Sequence, residues 1–115
     1  MTNIDMDTKI VLLKKTFSNC TKEITLYCDN ICDDDITYIC IDYCNEYSNG
    51  EFQDGNAFVE LTAILEAYSM KTYAELVSYY KEKYGNDENA WKKIILEIKE
   101  KGLDPSEDES EGEIY

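Results

Sequence analysis

Residues 23–47 read EITLYCDNICDDDITYICIDYCNEY, and this stretch decides the fold class because two different periods fit it. Its apolar residues recur at helical spacing on both sides of the Asp33–Asp35 triplet. The same residues are rich in the β-branched and aromatic side chains that favour strands, but they alternate over a shorter span. We therefore predict two helices, one near 21–32 and one that begins after the aspartates and ends near Tyr47. The alternative is a hairpin in an α+β fold, with the aspartates in its turn.

Helical spacing continues on both sides of this stretch. A first helix is predicted over about residues 8–18, and a fourth begins near Asp54. Thr72 and Glu75 have the spacing of a capping box, which indicates the start of a fifth helix. The sixth helix ends at Gly102, since glycine tolerates the backbone conformation that follows a helix.

Together these segments predict an all-α fold, a compact bundle of about six short helices arranged as antiparallel αα-hairpins. Residues 1–102 form the helical domain in this interpretation. Residues 103–115 contain six acids and almost no apolar side chains, which predicts a disordered acidic tail.

The composition excludes several classes of function. The 115 residues are enough for one domain, and 43 % of them are hydrophobic, which is enough for a core. All 11 basic residues are lysines, so a catalytic triad with histidine, a histidine metal site and an arginine finger are impossible within this chain. Nucleotide-binding glycine motifs and the HExxH motif are absent as well. We predict a protein that is not an enzyme and needs no cofactor.

The amino terminus and the apolar runs indicate a compartment. Residues 1–7 are acidic where a signal peptide carries positive charge, and no apolar run approaches the length of a membrane span. We therefore expect a cytoplasmic protein in a reducing compartment, with no membrane association and no disulfides.

Charge is distributed unevenly along the chain. The net charge is −14, with 25 acidic residues, and the 48 residues from 23 to 70 contain eleven acids and no lysine. A chain with this charge is repelled by nucleic acid, so direct nucleic-acid binding is not expected. It is attracted instead to a basic protein partner.

The predicted third helix suggests how such a partner is recognised. Asp35, Asp42 and Glu46, with Tyr38, fall on the face opposite its apolar stripe. Carboxylates four residues apart on a helix are separated by about 6 Å, which is close to the roughly 6 to 7 Å between successive phosphates of a nucleic-acid strand. The hypothesis is an acidic face that occupies a nucleic-acid-binding groove; the alternative is that acidity only keeps the protein soluble.

The predicted partner-binding residues combine acids with tyrosines outside the apolar stripes, since tyrosine is common at protein interfaces. They are Asp29, Asp33, Asp34, Asp35, Tyr38, Asp42, Glu46, Glu60, Glu66, Tyr73 and Tyr79.

In composition the chain is similar to phage and mobile-element proteins that block restriction or CRISPR nucleases by imitating DNA. The resemblance covers no motif. It implies an inhibitor that docks on a nuclease or another nucleic-acid-binding protein. A second hypothesis is an immunity protein or adaptor that recognises one protein partner through the tyrosine-rich helices near residues 73–84.

Four cysteines have a regular spacing. Cys28, Cys32, Cys40 and Cys44 put two thiols on one face of each of two consecutive predicted helices. Four thiolates that meet in a helical hairpin would suit zinc, so a zinc module with four cysteine ligands is a further alternative. Each of them also lies on an apolar stripe, and unligated cysteine is commonly buried. We therefore predict thiols in the core and no metal.

Overall fold

The computed structural model describes residues 9–29 and 36–113, the last four of them as backbone only. Over these residues the chain forms a five-stranded antiparallel sheet and three helices. The elements in chain order are β1 (Ile10–Phe17), β2 (Cys20–Asp29), β3 (Tyr38–Tyr47), β4 (Glu51–Glu60), α1 (Leu61–Ala67), α2 (Tyr73–Tyr84), α3 (Ala90–Glu100) and β5 (Ser106–Glu113).

The predicted all-α bundle of six helices is therefore wrong. The first three predicted helices are the strands β1, β2 and β3, and β4 replaces the start of the fourth. Strands β2 and β3 pair antiparallel, as in the hairpin alternative, with Leu26 opposite Ile41. The helical spacing was misleading because apolar side chains occupy both faces of this hairpin, and Tyr27 and Cys40 on one face complete false helical stripes with the residues on the other.

The predicted disordered tail is also wrong, because Ser106–Glu113 pairs with β4 as the fifth strand. The backbone N–H and C=O groups of β4 that point away from β3 need hydrogen-bond partners. A fifth strand supplies these partners even though it carries no apolar side chain of its own. The new edge of the sheet is strongly acidic. Charged edge strands resist pairing with other chains.

The last two predicted helices are present as α2 and α3. At the start of α2 the Thr72 hydroxyl accepts a hydrogen bond from the backbone N–H of Glu75 at 3.2 Å, which is one of the two hydrogen bonds of the predicted capping box; the Glu75 carboxylate accepts from the backbone N–H of Lys71 at 3.1 Å instead of from that of Thr72. The apolar stripe of α3 is buried, and Ile94 and Ile98 are completely inaccessible. These helices were predictable since their apolar faces are not interrupted.

The sheet has a simple order, β1-β2-β3-β4-β5, and the three helices connect β4 to β5. The helices pack on one face, which we call the helix-side face, and close the core against residues such as Leu26, Ile39 and Ile41. We call the opposite face the open face, because no described helix covers it. Neighbouring residues of a strand alternate between the two faces.

Trp91 joins α3 to the middle of the sheet. Its indole N–H donates a hydrogen bond to the backbone oxygen of Ile41 at 2.9 Å, and its ring lies 4.6 Å from that of Tyr43. The Tyr43 ring in turn covers Gly55 on the neighbouring strand, where an added Cβ would overlap with the Tyr43 ring carbon Cε1. A glycine at position 55 therefore gives the Tyr43 ring room to lie over β4.

A partly buried polar cluster joins the three helices to one another. The Glu97 carboxylate on α3 accepts hydrogen bonds from the hydroxyls of Tyr68 at 2.6 Å, Tyr79 at 2.8 Å and Tyr84 at 3.0 Å, and from the ammonium group of Lys83. Burial opposes ionisation of Glu97, but these hydrogen bonds outweigh it and lower the pKa of this carboxyl. The tyrosine hydroxyls are thus satisfied inside the structure rather than presented to a partner.

None of the helices in the described ranges is long and apolar enough to cross a membrane.

Gly55→Ala tests the packing of Tyr43 against β4. The added methyl group would force the ring away from Trp91, and we expect the free energy of unfolding to fall by about 1 to 3 kcal/mol. Alanine also lowers the conformational entropy of the unfolded chain, which stabilises the folded state by roughly 0.4 to 1 kcal/mol. The loss of packing exceeds this stabilisation. Urea denaturation measures the change. Asn56→Ala on the open face is the control, with an effect within about 0.5 kcal/mol. A Gly55→Ala variant at least as stable as the wild type would contradict this packing.

Glu97→Gln tests the polar cluster. Because the folded-state pKa of Glu97 is lowered, its charge stabilises the fold above the unfolded-state pKa, and this contribution is lost as the pH falls through the folded-state pKa. We expect the variant to be less stable by about 1 to 3 kcal/mol at pH 7 and the difference to shrink below about pH 4. Denaturant unfolding across this pH range measures it, with the exposed Glu100→Gln as control. A deficit that stays the same at every pH would exclude an ionic origin.

Candidate functional site

Four carboxylates cross the open face from β2 to β5. Glu23 and Asp54 belong to one cross-strand row of residues, and Asp42 and Asp108 belong to the next row along the strands. In the order Glu23, Asp42, Asp54 and Asp108, each residue is therefore the diagonal neighbour of the following one on the adjacent strand. Residues that are diagonal neighbours in an antiparallel sheet are about 7 to 8 Å apart. We call Glu23, Asp42, Asp54 and Asp108 the carboxylate row.

The carboxylate row lines a shallow cavity of about 370 Å³. Its other walls are formed by Lys9, Thr25, Tyr43, Cys44, Gly55 and Asn56. The exposure of Asp54 and Asp108 leaves the β4 and β5 end of the row open to solvent. A surface of this shape can receive cationic side chains from a partner.

Asp42 is the most enclosed member of the row. Burial raises the pKa of its carboxyl, and the negative charge of Asp54 adds to this, while a hydrogen bond from Tyr27 and the charge of Lys9 oppose it. One carboxylate oxygen, Oδ1, is buried and has no hydrogen-bond partner among the described residues. A partner that brought a cation next to this carboxylate would relieve its repulsion with Asp54.

Two lysines bring positive charge to the open face. Lys14 on β1 is 3.3 Å from the Glu23 carboxylate, and the ammonium group of Lys9 lies 5.1 Å from the centre of the Tyr27 ring. Lys9 also lines the cavity together with Asp42, Asp54 and Asp108, so its charge partly offsets the negative charge of the row.

Five of the predicted partner-binding residues share this face. They are Asp29, Tyr38, Asp42, Glu46 and Glu60. The predicted spacing changes with the fold, because Asp42 and Glu46 lie four residues apart on a strand and are separated by about 13 Å instead of the roughly 6 Å of a helix.

The other predicted residues lie elsewhere. Glu66 is exposed on α1, Tyr73 is buried in the core at 5 % exposure, and Tyr79 is half-buried with its hydroxyl bonded to Glu97. Asp33, Asp34 and Asp35 lie outside the described residues.

Three members of the carboxylate row were not identified from the sequence. The helical spacing puts Glu23 and Asp54 on predicted helices, and Asp108 belongs to the predicted tail. A period of two along β3, which puts Tyr38, Asp42 and Glu46 on one face, was the signal that could have located the face. It could not have located Asp108, because only pairing with β4 brings this residue to the row.

The cysteines in the described ranges form no disulfide and do not converge. Cys28 is on the helix-side face, whereas Cys40 and Cys44 are on the open face, and Cys32 lies outside the described residues. Within the described part of the chain, no group of three or more cysteine, aspartate or glutamate side chains is arranged to hold a metal ion. Members of the carboxylate row are too far apart to share one.

Comparison with protein-family models, with curated proteins and with solved structures finds no match to this chain.

Cys40 should be the least reactive of the described open-face thiols. Burial raises the pKa of Cys40 to about 11, and at about pH 8 this lowers the thiolate fraction roughly two hundredfold below that of an ordinary cysteine. We expect iodoacetamide to modify Cys40 at least about a hundredfold more slowly in the folded protein than in denaturant. Peptide mapping by mass spectrometry measures the rates. Equal rates in the two states would contradict the placement of Cys40 beneath the surface.

Proposed function

We propose that this protein binds a basic protein and inhibits it by occupying its nucleic-acid-binding groove, and that a nuclease is the most suitable partner. The observation that supports the proposal is the carboxylate row on the open face. Its steps of about 7 to 8 Å are near the roughly 6 to 7 Å between phosphates on one nucleic-acid strand. Lysine or arginine side chains spaced to hold successive phosphates would therefore find carboxylates at similar intervals.

The distribution of charge also favours this function over acidity for solubility alone. A solubilising surface needs only a net charge, and mixed signs serve it well. Here the open-face positions of β3 and β4 carry Asp42, Glu46, Asp54 and Glu60 and no lysine. Like charges placed near one another destabilise the free protein. A cationic partner would relieve the repulsion between these carboxylates.

An aromatic group next to the row would supply contact area. The Tyr38 and Phe58 rings meet edge to face on the open face, with their centroids 5.6 Å apart. Half-exposed rings beside charged groups are typical of protein interfaces, in which aromatic anchors contribute much of the binding energy. The adaptor hypothesis based on tyrosines of residues 73–84 has less support, since Tyr73 and Tyr80 are buried.

The triple variant Asp42→Asn, Asp54→Asn and Asp108→Asn tests the proposal. It keeps the size of each side chain and removes three charges from the carboxylate row. If each charge pair contributes about 1 to 3 kcal/mol at a desolvated interface, binding should weaken at least about a hundredfold. The matched control is Glu66→Gln, Glu82→Gln and Glu100→Gln, which removes three exposed charges from the helices and should weaken binding less than about tenfold.

The measurement uses the immobilised protein and a lysate of the cells from which the sequence derives. Proteins retained by the wild type and the control variant, but not by the triple variant, should be released by excess DNA at constant ionic strength, because DNA competes for the same groove. Release by salt together with retention in excess DNA would contradict the proposal. So would equal retention by the triple variant.

A further inference from the structure

At the end of the open face where β3 begins, an aromatic ring lies between two carboxylates. Asp29 on β2, Tyr38 on β3 and Glu60 on β4 are directly opposite one another in the register of the sheet. Directly opposed residues have Cβ atoms about 4.5 to 5.5 Å apart, so each carboxylate is next to the ring. We call Asp29, Tyr38 and Glu60 the tyrosine row. It lies about 13 Å along β3 from Asp42.

The tyrosine row is accessible, since Asp29 and Glu60 are exposed and Tyr38 is half-buried. The edge-to-face contact with Phe58, whose ring centroid is 5.6 Å away, orients the Tyr38 ring and covers at most one of its two faces. On Glu60, the oxygen Oε1 accepts a hydrogen bond from the Thr62 hydroxyl at 2.7 Å. Its second oxygen can accept hydrogen bonds from a partner.

The same face already contains one cation that lies over a ring beside a carboxylate. The ammonium group of Lys9 is 5.1 Å from the centre of the Tyr27 ring, and the Tyr27 hydroxyl is hydrogen-bonded to Asp42. The tyrosine row has the same kinds of group, a ring with adjacent carboxylates. No lysine among the described residues lies over the Tyr38 ring, however. A cation from a partner would complete the arrangement.

Two carboxylates on opposite sides of one ring favour arginine over lysine as that cation. A guanidinium group is planar, so it stacks on an aromatic ring while its five N–H donors point outward in its own plane. These donors can then reach Asp29 on one side of the ring and Glu60 on the other. An ammonium group is a compact, strongly hydrated charge that cannot stack in this way.

From this arrangement we infer that the tyrosine row is a recognition site for one arginine side chain of a protein partner. The guanidinium group stacks on Tyr38 and donates hydrogen bonds to Asp29 and Glu60. The inference rests on the proposed function, because it names the residue type by which a basic partner is recognised on the open face. The carboxylate row then receives other cations of the same partner.

Capped amino acids test the site on the full chain. The ¹⁵N-labelled protein is titrated at constant ionic strength with N-acetylarginine methylamide, with the corresponding lysine derivative, and with that of citrulline, which has the shape of arginine without its charge. We expect the arginine derivative to shift the amide resonances of Tyr38 and Glu60 saturably, with a Kd of about 10 mM or tighter. The lysine derivative should bind at least about threefold more weakly, and the citrulline derivative at least about fivefold more weakly.

Variants of the tyrosine row separate the ring from the charges. Tyr38→Leu should weaken binding of the arginine derivative at least about threefold, because it removes the aromatic face, whereas Tyr38→Phe should keep binding within about twofold of the wild type. Glu60→Gln should weaken it at least about twofold. The matched control is Glu46→Gln, which removes an exposed charge from the same strand face outside the tyrosine row and should leave binding unchanged.

Three results would overturn the inference: no saturable shift by the arginine derivative at about 50 mM, equal binding of the lysine and arginine derivatives, or shifts that Tyr38→Leu and Glu60→Gln leave unchanged. None of them decides the proposed function, which the triple variant of the carboxylate row tests separately. Selective arginine binding, together with retention of the lysate partner in excess DNA, would support this site and contradict only the proposed function.

Discussion

The pairing of β2 with β3 is the constraint on which the rest of the structure depends. Its register sets Ile24, Leu26 and Cys28 beside Tyr43, Ile41 and Ile39 on one face of the sheet. This apolar surface is what the three helices cover, and the Trp91 hydrogen bond to Ile41 fixes α3 on it. A shift of one residue in the register would expose the apolar side chains and turn acids toward the core.

The same register determines the functional surface. Because the side chains of a strand alternate, burial of Ile39 and Ile41 requires that Asp42 point to the open face. The pairing of β4 and β5 then places Asp54 and Asp108 diagonally beyond it. The carboxylate row is thus assembled by backbone hydrogen bonds from four strands, and no short segment of the chain contains it.

Only part of this could be predicted from the sequence. Helices α2 and α3 were predictable because the Thr72 capping box and the α3 stripe are local signals. The strands were not recognised because open-face residues such as Tyr27 and Cys40 are also apolar, which hides the period of two. Asp42 and Glu46 could be placed on one acidic surface from the sequence, but with the spacing of a helix. Strand β5 carries no apolar pattern and depends on contacts with a distant part of the chain.

The most direct test of the account is a nuclear Overhauser experiment on the folded protein, directed at the backbone of residues 51–58 and 106–113. The five-stranded sheet requires cross-strand contacts in the antiparallel register, with Asp54 opposite Ser110 and Asn56 opposite Asp108. These contacts would place Asp108 in the carboxylate row. Random-coil chemical shifts for residues 106–113, with no contact to β4, would contradict both the five-stranded sheet and the row that depends on it.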